Sequence, residues 1–217
     1  MRQSYQEKFE QVVEFVKTTM ASAPGCHDFD HIRRVLHNAR MLAAQEAEVS
    51  LEIVELAAVL HDIARPEEMN AKGKICHAEL GAEKAPEILL EHGFDEPEFI
   101  QAVSECIRKH RYRGNNAPEK LEEKIIYDAD KLDSAGAVGI GRAFHFAGRI
   151  GARLHNTELE ALNSESYSSE DSAYREYLVK LSKIPDRMLT ETGKKIAFER
   201  AEFMKLFFER LNREVYG

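Results

Sequence analysis

Apolar residues recur at intervals of three and four along almost the whole chain, the spacing that lines one face of a helix. The strict alternation of a half-buried strand is nearly absent. Phe9, Val12, Val13, Val16 and Met20 form the first stripe, broken by Pro24-Gly25. A second helix is predicted to begin near Asp28 or Asp30, either able to cap it, and to run through Ile32, Val35, Leu36, Ala39 and Leu42. A third follows Ser50 through Leu51, Val54, Ala58 and His61. Arg65 precedes Pro66 and is therefore disfavoured in helical geometry, which puts His61 and Asp62 close to the third helix's C-terminal end. Further helices read as 75–92, closed by Gly93, then 97–112, 119–134, 136–151, 172–182 and 191–214. Pro86 is expected to kink or split the first of these. The polar, Ser-rich segment 152–171 reads as a surface loop. The fold class this pattern predicts is all-α.

A hydrophobic share of 43% over 217 residues suffices for a substantial core, so disorder is not the expected state. No run of eighteen apolar residues occurs, and MRQSYQEKFE at the start lacks the apolar stretch of a secretory signal. A cytoplasmic location and no membrane partner are therefore expected. Cys26, Cys76 and Cys106 are odd in number and widely spaced, which fits neither a disulfide framework nor a CxxC site. The formal net charge of -8 argues against a stable nucleic-acid complex, since duplex binding without sequence preference neutralises many phosphates. The basic run Arg108, Lys109, Arg111, Arg113 has only Tyr112 as aromatic company and is not read as such a footprint. A small phosphorylated ligand needs only a local positive site, which an acidic chain can supply.

Among nine histidines, position singles out a few. His31 falls in the first turns of the second predicted helix, His61-Asp62 ends the third, and Asp130 lies in the helical stretch IIYDADKLDS. Three packed helices can bring these side chains to one point, offering two imidazoles and two carboxylates to a divalent ion. Neighbouring side chains on a helix diverge by about 100°, so a doublet serving one ion is easiest at a helix end. The glycines Gly136, Gly139, Gly141 and Gly148 fit neither GxGxxG nor Walker spacing, and Ser134 lacks a GxSxG context.

The ordered texts HDFDHIRRVLHNA, LAAVLHDIA and IIYDADKLDSAGAVGIGRA resemble the three motifs of the HD superfamily, closest to small stand-alone phosphohydrolases whose last motif reads DADKLD. The resemblance extends weakly into TETGKKIAFERAEFMKLFFERL. It implies an HD-type helical bundle forming one domain over 1–217, with a motif core of about 26–151 and a helical C-terminal extension over 152–217. It also implies His31, His61, Asp62 and Asp130 as metal ligands, and selects Asp130 rather than Asp128 or Asp133. Asp133, three residues on, is then a candidate for substrate binding or for orienting a ligand, or forms an ordinary helix ion pair. His77 and His110 fall where HD proteins with two metals place further ligands, or else act as catalytic groups on the phosphate or leaving group.

What the resemblance implies is hydrolysis of a phosphate ester or anhydride, most readily of a nucleotide, by metal-activated water. The cofactor is one divalent ion, among Mn, Fe, Co, Ni, Zn and Mg, with a second left open. Asp62, His77, His110 and Lys131 are the candidate catalytic residues. Arg34, Arg65, Lys72 and Lys74 are the candidate phosphate contacts, and a homodimer is left open. The competing readings are a non-catalytic, metal-stabilised ligand-sensing module and a di-iron HD-type oxygenase.

Overall fold

The structure, a computed structural model, describes residues 4–22, 28–71, 74–111 and 116–217. It is all-helical, with no strand among the described residues. Pro24, Gly25, Cys26, His27, Lys72, Tyr112 and Arg113 lie outside them. The chain divides into two compact units, Met1–Asp130 and Lys131–Gly217.

In the first unit, α1 (Tyr5–Thr19) buries Phe9, Val12 and Val16 and is started by a reciprocal capping box between Ser4 and Glu7. It packs on α3 (Leu51–Leu60), as does α2 (Phe29–Ala43). Asp28 is the cap of α2 and accepts the backbone N–H of His31 at 3.0 Å. Ser50 caps α3, a contribution of about 1 kcal/mol. In α3, Val54, Leu56, Ala57, Ala58, Val59 and Leu60 are all buried, so this short helix is apolar all round and forms the centre of the unit. Its one buried acid, Glu55, accepts from Tyr5 at 2.8 Å and Arg40 at 2.7 Å, which ties α1 and α2 to it.

Past α3 the chain makes a turn over 61–64 and then enters α4 (Arg65–Asn70). This element was not expected: Pro66 sits in its first turn, where a helix has no use for the missing N–H, so the proline opens a helix instead of preventing one. α5 (His77–Glu91) packs against α4 and against α6 (Pro97–Lys109), which in turn packs against α3. Pro86 does not split α5. Its buried face runs through Ala78, Ala82, Ala85 and Leu89 on both sides of the proline, and that burial holds the helix together across the lost hydrogen bond. Gly93, at φ 81°, closes α5, with Gly93 N–H bonding Leu90 O and Phe94 N–H bonding Leu89 O. α7 (Leu121–Leu132) buries Ile125, Ile126 and Ala129 and is tied to α2 by Asn38, whose amide donates to Ala129 O at 3.1 Å.

The second unit contains α8 (Gly136–Arg149), α9 (Glu158–Leu162), α10 (Ala173–Val179) and the long α11 (Glu191–Tyr216), with two short 3-10 turns before α11. α8 and α10 pack together, and α8 lies on α11. Phe144, Tyr174, Tyr177 and Phe208 form their aromatic core. The segment 152–171 is more ordered than a plain loop: Thr157 and Glu160 form a capping box that starts α9, and His155 and Asn156 are buried. No helix among the described residues is long and apolar enough to cross a membrane.

Candidate metal centre

Each histidine of the site stands at the end of a helix. His31 is in the first turn of α2, His61 follows the last residue of α3, His77 opens α5, and His110 follows the last residue of α6. This arrangement lets four helices aim imidazoles at one point without a long side chain. All four rings are buried, His31 and His61 completely. α5 and α6 approach closely at Gly81, where an added Cβ would lie 3.3 Å from Ile107 Cγ2.

Two groups of ligand atoms result: His31, His61 and Asp130 form one, and Asp62, His77 and His110 the other. Within each group the atoms lie within 4.8 Å of one another. Asp62 joins the two. Its Oδ2 is 3.6 Å from His31 Nε2 and 3.8 Å from His61 Nε2, while its Oδ1 is 3.1 Å from His77 Nε2 and 3.9 Å from His110 Nε2. Asp130 Oδ1 lies 3.6 Å from His31 Nε2, and its side chain keeps 21% of its exposure, so the first group reaches solvent. Because α3 stops at Leu60, the His61-Asp62 turn can present both side chains to one place.

Proton positions decide what this cluster can hold. His61 Nδ1–H donates to Ala58 O at 2.8 Å and His110 Nδ1–H to Ile107 O at 2.6 Å, leaving each Nε2 with its lone pair. Nδ1 of His77 is 2.8 Å from Glu68 Oε2. Burial alone would raise the Glu68 carboxyl, but hydrogen bonds from Arg111 and His77 and the charge of Arg65 hold it down to about 2, so it is an acceptor. His77 therefore carries its proton on Nδ1. Its Nε2 lies 3.1 Å from both His110 Nε2 and Asp62 Oδ1. Burial and the neighbouring His61 and His77 push His110 down to about 3, and burial holds His61 below the usual imidazole range despite Asp62, so these two rings stay neutral with bare Nε2 atoms. Converging lone pairs on buried nitrogen and carboxylate oxygen are what a divalent cation satisfies. The donor set fits a metal.

The other expected residues are distributed unevenly. Arg65 donates to Glu68 Oε2 at 2.6 Å and lies 2.9 Å from His77 Nδ1, beside the second group. Arg34 is half-buried in α2, and Lys74 is exposed in the segment before α5. Lys131 is half-buried. Asp133 is buried just past the end of α7 and takes Arg142 of α8 at 2.6 Å. Asp128 is buried but joins neither group. Cys76 and Cys106 are free thiols. Glu68 carried no motif that would have marked it, and Arg111, which with Glu68 grips the back of His77, stood in the sequence only as part of the basic run.

Residues 28–135 match the HD domain family. YpgQ of Bacillus subtilis (strain 168) is 32% identical over 216 residues, spanning 96% of this chain and 94% of YpgQ. The chain belongs to the HD superfamily. Its fold superposes on the crystal structure of YpgQ in complex with ADP with a TM-score of 0.75, at 30% identity and covering 98% of this chain and 97% of that one. A predicted HD superfamily hydrolase from an uncultured Thermotogales bacterium gives 0.67 at 32% identity, covering 94% and 91% of the two chains. An HD-superfamily hydrolase from Bacillus thuringiensis gives 0.75 at 31%, covering 97% and 98%. The chain thus has the fold of the HD superfamily hydrolases, with His/Asp clusters that could hold a metal.

Proposed function

We infer that this protein is a metal-dependent phosphohydrolase that cleaves a phosphate ester or anhydride of a nucleotide. The observation that carries the reading is the carboxylate of Asp62 set between two histidine pairs, with lone pairs converging on each of its oxygens. His31, His61, Asp62 and Asp130 would hold one divalent ion, and Asp62, His77 and His110 a second. Such an ion supplies Lewis acidity at a phosphoryl oxygen and shifts the pKa of a coordinated water from about 16 towards about 7.

The chain's own residues supply binding and orientation. Asp62 fixes the spacing of the two groups, and the partly exposed Asp130 leaves an approach to them from solvent. Arg65 and Arg111 stand behind His77, Lys74 three residues before it, and Arg34 three residues after His31. They offer an anion local positive charge in a chain whose net charge is -8. A nucleotide is favoured over other phosphorylated metabolites because a relative of 30% identity, YpgQ, was solved with ADP.

A metal-by-substrate screen tests this reading, using nucleoside mono-, di- and triphosphates, cyclic dinucleotides, guanosine tetraphosphate and sugar phosphates against each divalent ion. The expected result is metal-dependent release of phosphate or pyrophosphate from a mononucleotide. Cleavage of cyclic dinucleotides or oligonucleotides at least about tenfold more efficient than of any mononucleotide would overturn the substrate assignment. Tight metal binding with no hydrolysis of any substrate would favour the ligand-sensing module.

A further inference from the structure

The back of His77 holds more charge than its place in a ligand group requires. Glu68, buried on α4, puts Oε2 2.8 Å from His77 Nδ1 and takes Arg65 on the same oxygen at 2.6 Å, while Arg111 bonds Oε1. The same two guanidinium groups also stand within reach of the ring, Arg65 at 2.9 Å and Arg111 at 3.3 Å from Nδ1. Three groups therefore compete for one ring nitrogen, and they demand opposite tautomers. A guanidinium can only donate, so on its own it would require a lone pair on Nδ1 and drive the proton to Nε2. A carboxylate can only accept, so it requires the proton on Nδ1.

We propose that Glu68 is a positioning residue that makes Asp62, His77 and His110 a cation site instead of a self-satisfied hydrogen-bonded cluster. This rests on the metal reading given above. With Glu68 present, Oε2 accepts from both Nδ1–H and Arg65, and the guanidinium groups are turned to the carboxylate. Were Nδ1 bare, two lone-pair atoms would face each other at 2.8 Å in a buried place, and the guanidinium groups that already serve the carboxylate would have to be shared with the ring. With Glu68 removed, Arg65 and Arg111 become the nearest partners of Nδ1, and the proton moves to Nε2. There it would donate to Asp62 Oδ1 or His110 Nε2, each 3.1 Å away, and the group would close on itself with no vacant lone pair on His77. Glu68 touches none of the expected ligand-facing atoms, and its action passes entirely through the ring of His77.

The test reads the tautomer and the ion separately. Long-range nitrogen–proton NMR of metal-free wild type, with His77 assigned by the signal lost in His77→Gln, is expected to show Nδ1–H on His77. Glu68→Ala is expected to show Nε2–H. Glu68→Gln, which keeps the shape and loses the charge, should fold like wild type and show a mixture of the two. Cobalt(II) titration with elemental analysis should give close to two ions per wild-type chain. In Glu68→Ala the second ion should bind roughly 10–100-fold more weakly while the first is unchanged. A wild-type His77 carrying Nε2–H, or an unchanged tautomer and second-ion affinity in both Glu68 variants, overturns the proposal. Wild type with a single ion also overturns it, yet leaves a mononuclear phosphohydrolase standing. Two ions with the expected Glu68 dependence, but no hydrolysis of any phosphorylated substrate, sustain the proposal and refute the catalytic reading.

Discussion

His61 and His110 give their Nδ1 protons to backbone carbonyls three residues back, Ala58 and Ile107, whereas His77 gives its proton to a side chain, Glu68. A carbonyl at a helix end is fixed by the helix itself, so those two rings are oriented by the fold and need no specialised partner. His77 stands at the opposite end of its helix, where the backbone offers free N–H groups rather than carbonyls, and an acceptor must be imported. The two ligand groups differ in openness as well. The first contains Asp130, still 21% exposed, while Asp62, His77 and His110 are all buried. One group opens to solvent through Asp130. The other is sealed, and its His77 depends on a buried ion-pair network.

The largest effect is expected where the two groups meet. Asp62→Asn should lose both ions, because each oxygen of this carboxylate serves a different group. Asp130→Ala should lose only the first. Both should cost more activity than the roughly 10–100-fold typical of an outer-shell partner. Since metal affinity is partly folding free energy, the melting temperature should fall with the ions. Elemental analysis checks the contrast: Asp62→Asn retaining as much metal as Asp130→Ala would show that Asp62 does not join the groups.

A smaller effect separates the sealed group from the open one. His110→Ala should lower turnover far more than stability, and should leave the ion at His31, His61 and Asp130 in place. Single-ion stoichiometry with reduced kcat is the expected pair of readings. Unchanged kinetics would return His110 to a structural role at the end of α6.

How much of this was legible in the sequence follows from the same contrast. The end of α3 announced itself: the stripe through Val54 and Ala58 and the cap at Ser50 framed the helix, and the doublet stood where it stops. His77 and His110 came from resemblance, not from periodicity. Glu68 was invisible, because it belongs to α4, and α4 was missed by reading Pro66 as a helix breaker when it occupies a first turn. Pro86 misled in the same direction, since local preference could not register the buried face of α5 that continues past it. α9 was hidden in a Ser-rich text whose Thr157 and Glu160 form a capping box. What stayed unread were partnerships between side chains distant in sequence, such as Arg111 with Glu68, which only packing creates.

A pH titration sharpens the account of the sealed group. Burial and neighbouring imidazoles push His110 in the fold down to about 3, against 6.5 for an ordinary histidine. Below 6.5 the unfolded chain takes up a proton that the fold refuses. The stabilisation is therefore complete above pH 6.5 and is lost progressively as pH falls towards 3. His61, also lowered by burial, acts in the same direction. The melting temperature of metal-free protein should drop on acidification through this window, and His110→Gln should flatten the slope. A profile with the same slope in wild type and variant would contradict a buried neutral His110.

The smallest expected effect asks which group's flank grips the substrate. Arg34 stands three residues after His31 and is half-buried, while Lys74 stands three residues before His77 and is exposed. A half-buried guanidinium is screened less by salt and can pair bidentately with phosphate, whereas an exposed ammonium is strongly hydrated and screened within about 8 Å at physiological ionic strength. Arg34→Gln should therefore raise the KM for a nucleotide triphosphate by several-fold, and Lys74→Gln by about twofold or less, with kcat nearly unchanged in both. Raising the salt concentration should shrink the Lys74 effect first. If Lys74→Gln proves the more damaging of the two, the phosphate is held at the sealed group's entrance, and the open first group is not where the substrate docks. Loss of kcat without a change in KM would instead remove both residues from binding and give them a part in the chemical step.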